Sequence, residues 1–333
     1  GMLLLERGLS VEGGGYLRRA ADTAPSRPDL WYELGMCLAV AERYHDAAST
    51  LERCIALAPQ APQACELLGQ VFLRMEEPVG ALDVLARGLQ IEPQNMVMAQ
   101  AYVVALKGTG QVDEAARIAE HLAIQCPDNP ELLMLAAWQA TYSQNGDPLR
   151  IREWLERRGR LLAPAASPVH FTNRPDPDRR LRIGFLCQDI RRDSPIARFV
   201  APALLNLDPS RFEPMGYCTQ STMEHMMPRL LAAVTRAAGG WTDVSRLDDA
   251  SLLARIRADQ IDVLVETAGN TFGNRQTALA HRAAPVQVTC IGDPRTTGNP
   301  AIDARVVDDI TDPESDPAAA SYCTERLVRL PGC

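Results

Sequence analysis

Residues 31–59, WYELGMCLAVAERYHDAASTLERCIALAP, set large apolar or small residues at Trp31, Leu34, Gly35, Leu38, Ala47 and Leu51 and close on Pro59. Apolar positions three and four apart in each half describe two amphipathic helices joined by a short turn. A shift of 34 residues reproduces the pattern at Cys65, Leu68, Gly69, Phe72, Ala81, Leu85 and Pro93. A second shift lands on Ala99, Tyr102, Val103, Leu106, Ala115, Ala119 and Pro127 without a slip in phase. A partial unit starts at Pro130 with Leu133, Ala136, Ala137 and Ala140, and another precedes Pro25 with Leu17 and Ala20. The small residue eighth in the unit lets the first helix approach the second, and the proline stops the second helix. One such pair leaves an apolar face open, so at least about three must stack to bury a continuous core.

This period and pattern resemble the tetratricopeptide repeat. The expected product is a curved helical array over residues 1–148. Its concave wall is expected to hold Tyr32, Glu33, Met36, Glu66, Gln70, Gln100, Lys107 and Trp138, a polar and mixed surface that suits a peptide or protein partner. The competing reading is a spacer whose groove is covered by a second domain or a dimer mate.

At 333 residues the chain exceeds one ordinary core, and 46% hydrophobic with 23% charged residues excludes a disordered or fibrous class. Residues 1–150 carry 19 acids and 11 bases and residues 151–333 carry 23 of each, so the whole net charge of −8 lies in the first half. That balance lacks the clustered positive charge a nucleic-acid partner requires. Lys107 is the one lysine against 33 arginines. The nine cysteines contain no CxxC pair, which fits neither a zinc site nor a disulfide framework, and no metal is expected. The opening Met2-Leu3-Leu4-Leu5 is too short for a membrane span or signal core. A cytoplasmic location without membrane contact is therefore expected. GxSxG, HExxH and Walker A strings are absent.

Beyond Asn145-Gly146-Asp147-Pro148 the repeat pattern fails. Residues 149–162 read as one basic amphipathic helix and the proline-rich run to residue 178 as a crossing segment, so residues 149–178 form a linker. The remainder, 179–333, alternates strand and helix patterns. Strands are expected at Leu181–Cys187, Phe212–Cys218, Trp241–Val244, Ile261–Glu266 and Val286–Ile291, and helices at 196–207, 224–238, 248–259 and 274–283. Such alternation predicts a parallel sheet in a Rossmann-like lobe, with function in the loops at the carboxyl ends of the strands. Three loops qualify: Gln188 to Ser194, with two carboxylates and a helix start at Ser194-Pro195; Glu266 to Asn274; and Gly292 to Pro300. The first can also be read as an N-capped turn with solvated charges and the third as a plain connection, while the second is not a GxGxxG and signals a phosphate cradle only weakly.

The strings RLRIGFLCQDIRRDSPIARF (180–199), IDVLVETAGNT (261–271), PVQVTCIGDPRTTG (285–298) and AIDARVVDDITDP (301–313) resemble, in order, the amino-terminal catalytic lobe of the protein O-linked N-acetylglucosamine transferases, in the bacterial, SPINDLY-like branch. The resemblance implies an α-helical tetratricopeptide superhelix followed by one α/β Rossmann-like lobe, half of a GT-B fold. It implies transfer of a sugar from UDP-N-acetylglucosamine to Ser or Thr of a protein held by the repeats, with no covalently bound cofactor and no metal. Carried onto this chain, it points to Glu266, Asp193, Ser194 and Asn270 near the reacting centre and to Thr271, Thr296, Thr297 and Gly298 as substrate contacts. Several positions depart from the family pattern. Asn270 stands where the family has histidine, Asp193 and Ser194 take the place of the first-loop histidine, and Asp293 and Arg295 alter the third loop. Cys290 replaces a frequent tryptophan. The peptide-gripping asparagines of the family repeats fall on Glu33, Leu67, Ala101 and Leu135. The match ends before the family's second lobe, so the expectation for this chain alone is inactivity until that lobe or an oligomer mate completes it. The alternative is a non-catalytic interaction scaffold carrying a degenerate transferase lobe.

Overall fold

The computed structural model describes residues 10–163, 169–176, 178–190, 194–220, 240–271 and 273–331. Two compact units are present: Gly1–Cys126 with Trp138–Gly146, and Pro127–Ala137 with Asp147–Cys333.

The first unit is built from helices α1 (Ser10–Thr23), α2 (Pro28–Val40), α3 (Tyr44–Leu57), α4 (Pro62–Arg74), α5 (Pro78–Ile91), α6 (Met96–Gly108), α7 (Val112–Gln125) and the last part of α8 (Pro130–Tyr142). Pro28, Pro62 and Pro78 open their helices at the first turn, where a missing N–H costs nothing. Within each pair one close contact sets the approach. A Cβ added to Gly35 would lie 2.6 Å from the Leu51 side chain, and one added to Gly69 would lie 2.4 Å from Leu85. In the third repeat the sizes are exchanged: Val103 and Ala119 stand at the corresponding positions and both are fully buried. The turn between paired helices repeats as well. Glu42, Glu76 and Gly110 have φ of 59°, 60° and 82°. The following N–H reaches back five residues each time, Arg43 to Leu38 O, Glu77 to Phe72 O and Gln111 to Leu106 O, all at 2.9 Å. This is the helix-ending motif that requires a left-handed residue. In the partial first unit Leu17 is buried, but Ala21 rather than Ala20 takes the core position.

The second unit holds α9 (Pro148–Leu162) and one seven-stranded sheet: β1 (Leu181–Cys187), β2 (Phe212–Cys218), β3 (Trp241–Asp243), β4 (Val263–Glu266), β5 (Val286–Cys290), β6 (Ala304–Asp308) and β7 (Arg326–Leu330). The order is β3-β2-β1-β4-β5-β6-β7, and every pairing is parallel. Alternation along the strands sends Ile183, Phe185 and Cys187 to one face, where they pack on Ala197, Val200 and Leu204 of α10 (Pro195–Asn206). Leu186, Tyr217 and Leu264 go to the other face, against Leu252 and Ile256 of α11 (Asp249–Ala258) and Leu279 of α12 (Gln276–Ala280). Burial on both faces explains why the central strands read as continuous apolar runs.

Some boundaries move. The strand expected from Ile261 starts at Val263, with Asp262 just before it still donating its N–H to Arg182 O at 2.9 Å and its carbonyl accepting from Val286 N at 3.1 Å. The helix expected over 274–283 contracts to α12: Asn274 Oδ1 accepts the Gln276 N–H at 3.2 Å before it, and Arg282, with φ 56°, follows its end. Strands β6 and β7 were not expected. The helix expected over 224–238 lies outside the described residues, as does Asp193. No described helix is long and apolar enough to cross a membrane.

Candidate functional site

After β1 the chain passes to β2 and β3 on one side, then resumes as β4 on the other. The change of winding direction between β1 and β4 makes their carboxyl ends a topological switch point, the place where open parallel sheets bind ligands. The register puts Leu186 beside Glu266 and Glu266 beside Thr289.

The loop after β4 is folded around its own carboxylate. Glu266, 2% exposed, accepts N–H bonds from Ala268 (3.0 Å) and Gly269 (2.9 Å) and the Thr289 hydroxyl bond. Burial raises its pKa from the ordinary value, and these three donors offset part of the rise. Gly269 takes φ 57°, and a Cβ there would lie 2.5 Å from the Asp293 Cβ, so only glycine fits. The carboxylate to which the resemblance points is thus enclosed by the loop it shapes.

Asn270 bridges the second and third loops. Its backbone N–H points to Asp293 Oδ2 at 3.3 Å and its Nδ2 donates to Thr296 O at 2.9 Å, while its Oδ1 is buried without a donor among the described residues. Thr271 Oγ1 lies 2.7 Å from Ala268 O and 3.1 Å from Gln188 Oε1, tying the β4 loop to the β1 loop. Ser194 is buried as the cap of α10, with its hydroxyl on Asp189 O at 3.1 Å. Thr296 and Thr297 are also buried. Both hydroxyls donate to Glu325, which also accepts the Thr297 N–H at 2.7 Å. Gly298, φ 70°, packs its backbone against Leu155 and Gly159 of α9. Asn270, Thr271, Thr296, Thr297 and Gly298 therefore share one connected cluster, whereas Ser194 sits apart at its helix start. Glu325 and Thr289, which hold the cluster, were missed by sequence reasoning. Only the adjacency of strands β4 and β5 brings Thr289 to Glu266, and no local pattern links Glu325 to the threonines.

Ile291, immediately after β5, has φ 78°, and the Gly292 N–H closes on Cys290 O at 3.0 Å. A β-branched residue in this region is strained, and such strain clusters at functional loops. Burial pushes the thiol of Cys187 up to about 12 and that of Cys290 up to about 11, so neither is a nucleophile at neutral pH. Among the described residues no three His, Cys, Asp or Glu side chains are placed to hold a metal.

On the repeat array Tyr32, Glu33, Met36, Gln70, Gln100 and Trp138 are all half-buried. Glu66 accepts from Gln70 (3.4 Å) and from Asn95 (2.9 Å), so it joins α4 to the start of α6. Lys107 Nζ lies 3.9 Å from the Tyr142 ring centroid and 5.9 Å from that of Trp138. A cation held over aromatic rings in this way is positioned without an ion pair.

Residues 72–138 match the tetratricopeptide repeat profile, and residues 162–332 match glycosyl transferase family 41. The chain is 34% identical over 182 residues to an Arabidopsis thaliana protein named "Probable UDP-N-acetylglucosamine--peptide N-acetylglucosaminyltransferase SPINDLY", covering 55% of this chain and 19% of that one. It is 28% identical over 170 residues to the Arabidopsis thaliana protein of the same description named SEC, covering 51% and 16%. The chain thus spans about a fifth of the length of these curated relatives. A solved structure of a mutant of the Thermobaculum terrenum O-GlcNAc transferase aligns with 99% of this chain and 55% of its own at TM-score 0.55 and 27% identity. The family profile falls on the parallel sheet and on all three strand-end loops, and on that ground the chain belongs to glycosyl transferase family 41.

Proposed function

We propose that this chain serves protein O-linked N-acetylglucosaminyl transfer, with UDP-N-acetylglucosamine as donor and Ser or Thr of a repeat-bound protein as acceptor. The observation that supports this reading most directly is Asn270: a buried amide oxygen without a donor among the described residues, in the loop at the switch point, inside the family match. Leaving such an acceptor unpaired costs about 1–3 kcal/mol, a cost a ligand hydroxyl or N–H would relieve. In this reading Thr271 and the 296–298 turn shape the donor crevice, and Glu266 is a positioning residue, since its contacts are to the loop. Asp193 and Ser194 belong to the acceptor side. The groove residues Tyr32, Glu33, Met36, Gln70, Gln100 and Trp138 receive the protein.

Titration with UDP-N-acetylglucosamine, followed by amide NMR, tests it. Shifts confined to Thr267–Thr271 and Ile291–Gly298 are expected, and Asn270→Ala should weaken them about tenfold. No shift at millimolar donor overturns the donor reading. A second reading, an interaction scaffold with a silent lobe, is favoured by the enclosure of Glu266, Ser194, Thr296 and Thr297, whose polar groups are all engaged within the protein. Peptide capture by the repeats without any donor response would select it.

A further inference from the structure

The opposite end of the sheet carries a cavity of about 520 Å³ with four guanidinium groups in its wall, Arg174, Arg179, Arg180 and Arg182. Arg182 and Glu213, also in the wall, are the second residues of β1 and β2. Five residues of strand, about 17 Å, separate them from the carboxyl ends. This cavity is therefore not the switch-point crevice.

Its four positive charges are engaged unequally. Arg179 is held by both oxygens of Asp262. Arg182 donates Nη1 to Asp259 O at 2.9 Å and lies 3.4 Å from Glu213. Arg180 donates only Nη2, to Phe212 O at 3.2 Å. The Arg174 side chain makes no hydrogen bond or ion pair among the described residues. Glu213 and Asp262 thus offset two guanidiniums, and two exposed ones, Arg174 and Arg180, retain free N–H donors. The segment that carries them is fastened in place: Asn173 Nδ2 donates to Gln260 O at 3.0 Å and to Asp262 Oδ1 at 2.6 Å, and Arg179 Nε donates to Arg174 O at 2.9 Å. With the backbone held in this way, binding has only the two arginine side chains left to order.

We propose that this cavity binds the phosphate group of a small ligand, with Arg174 and Arg180 as the clamp. Two forks on separate stems suit a tetrahedral dianion with three accepting oxygens better than a planar carboxylate, which one fork satisfies. Asp176, close enough to act on Arg179, keeps the field moderate, so binding in the millimolar to micromolar range is expected.

The test is calorimetric titration of the chain with inorganic phosphate, pyrophosphate and glycerol phosphate at ionic strength fixed with chloride. Saturable binding that falls at least about tenfold in the Arg174→Gln/Arg180→Gln double variant supports the clamp. Glycerol phosphate binding as tightly as inorganic phosphate would assign a phosphomonoester, and weaker binding would assign free phosphate. Heat that does not saturate, or that the double variant leaves unchanged, overturns the proposal. Both arginines are exposed, so the variant should melt like the parent. The UDP-N-acetylglucosamine response at the other end of the sheet should also persist, which keeps failure here distinct from failure of the transferase reading.

Discussion

Ile291 pays a backbone cost that glycine at the same position would avoid, since φ 78° crowds its branched side chain against its own carbonyl. Ile291→Gly should raise the free energy of unfolding by about 1 kcal/mol in urea titration. If the strain serves donor binding, the same variant weakens it. Arg158 presents a different cost: it is buried on α9, its Nε has no partner among the described residues, and burial lowers its pKa. Arg158→Met keeps the packed stem and removes the charge, so the melting temperature should stay level or rise, worth up to about 1 kcal/mol. Neither residue announces its state in the sequence. Isoleucine predicts ordinary strand backbone, and an arginine on an amphipathic helix predicts a solvated face; each is overridden by tertiary position.

The repeat helices were legible because their packing is local and periodic: in the first two full units one glycine, one leucine and one proline state the geometry, and the third keeps the period with Val103, Ala119 and Pro127. The exchange of Gly35 with Leu51 for Val103 with Ala119 predicts how the pair couples. Gly35→Val alone should destabilise by about 1–3 kcal/mol through overpacking. Leu51→Ala alone should cost about 2–5 kcal/mol through a cavity. The double variant should cost clearly less than their sum, measured as a double-mutant cycle by denaturant unfolding. The left-handed turns at Glu42 and Glu76 were not legible, since only Gly110 of the three is a residue that signals them. In the second unit, β1, β2, β4 and β5 showed as apolar runs. β7 did not: Arg326 and Arg329 interrupt it, as suits a strand at the sheet's edge with one pairing neighbour. The candidate site was legible as three loops but not as a connected cluster. The pairing of Glu325 with Thr296 and Thr297 reaches across the whole of β6 and its flanking loops.

For the whole molecule two buried carboxylates set opposite pH trends. Asp262 is lowered from its ordinary value: burial opposes the shift, but Arg179, the Arg182 N–H and Asn173 outweigh it. Its contribution to stability is complete above pH 3.8 and is lost as pH falls through the lower folded-state value. Glu266 is raised by burial, so its contribution is complete below pH 4.5 and is lost as pH rises through the higher folded-state value. Thermal melting followed across pH should show both limbs. Asp262→Asn should flatten the acid limb, and Glu266→Gln the decline above pH 4.5. An unaltered profile in Glu266→Gln would mean that the three donors hold the carboxylate ionised throughout.

The aromatic seat of Lys107 gives the chain an unusual chemical handle. As the only lysine, it offers an amine-reactive dye a single side-chain address, on the helix that lines the expected binding groove. A fluorophore attached there would sit beside Tyr142 and Trp138, both efficient quenchers, and would brighten as an incoming peptide displaced it. If the groove takes a peptide, the single lysine would report its occupancy optically, with no engineered cysteine required.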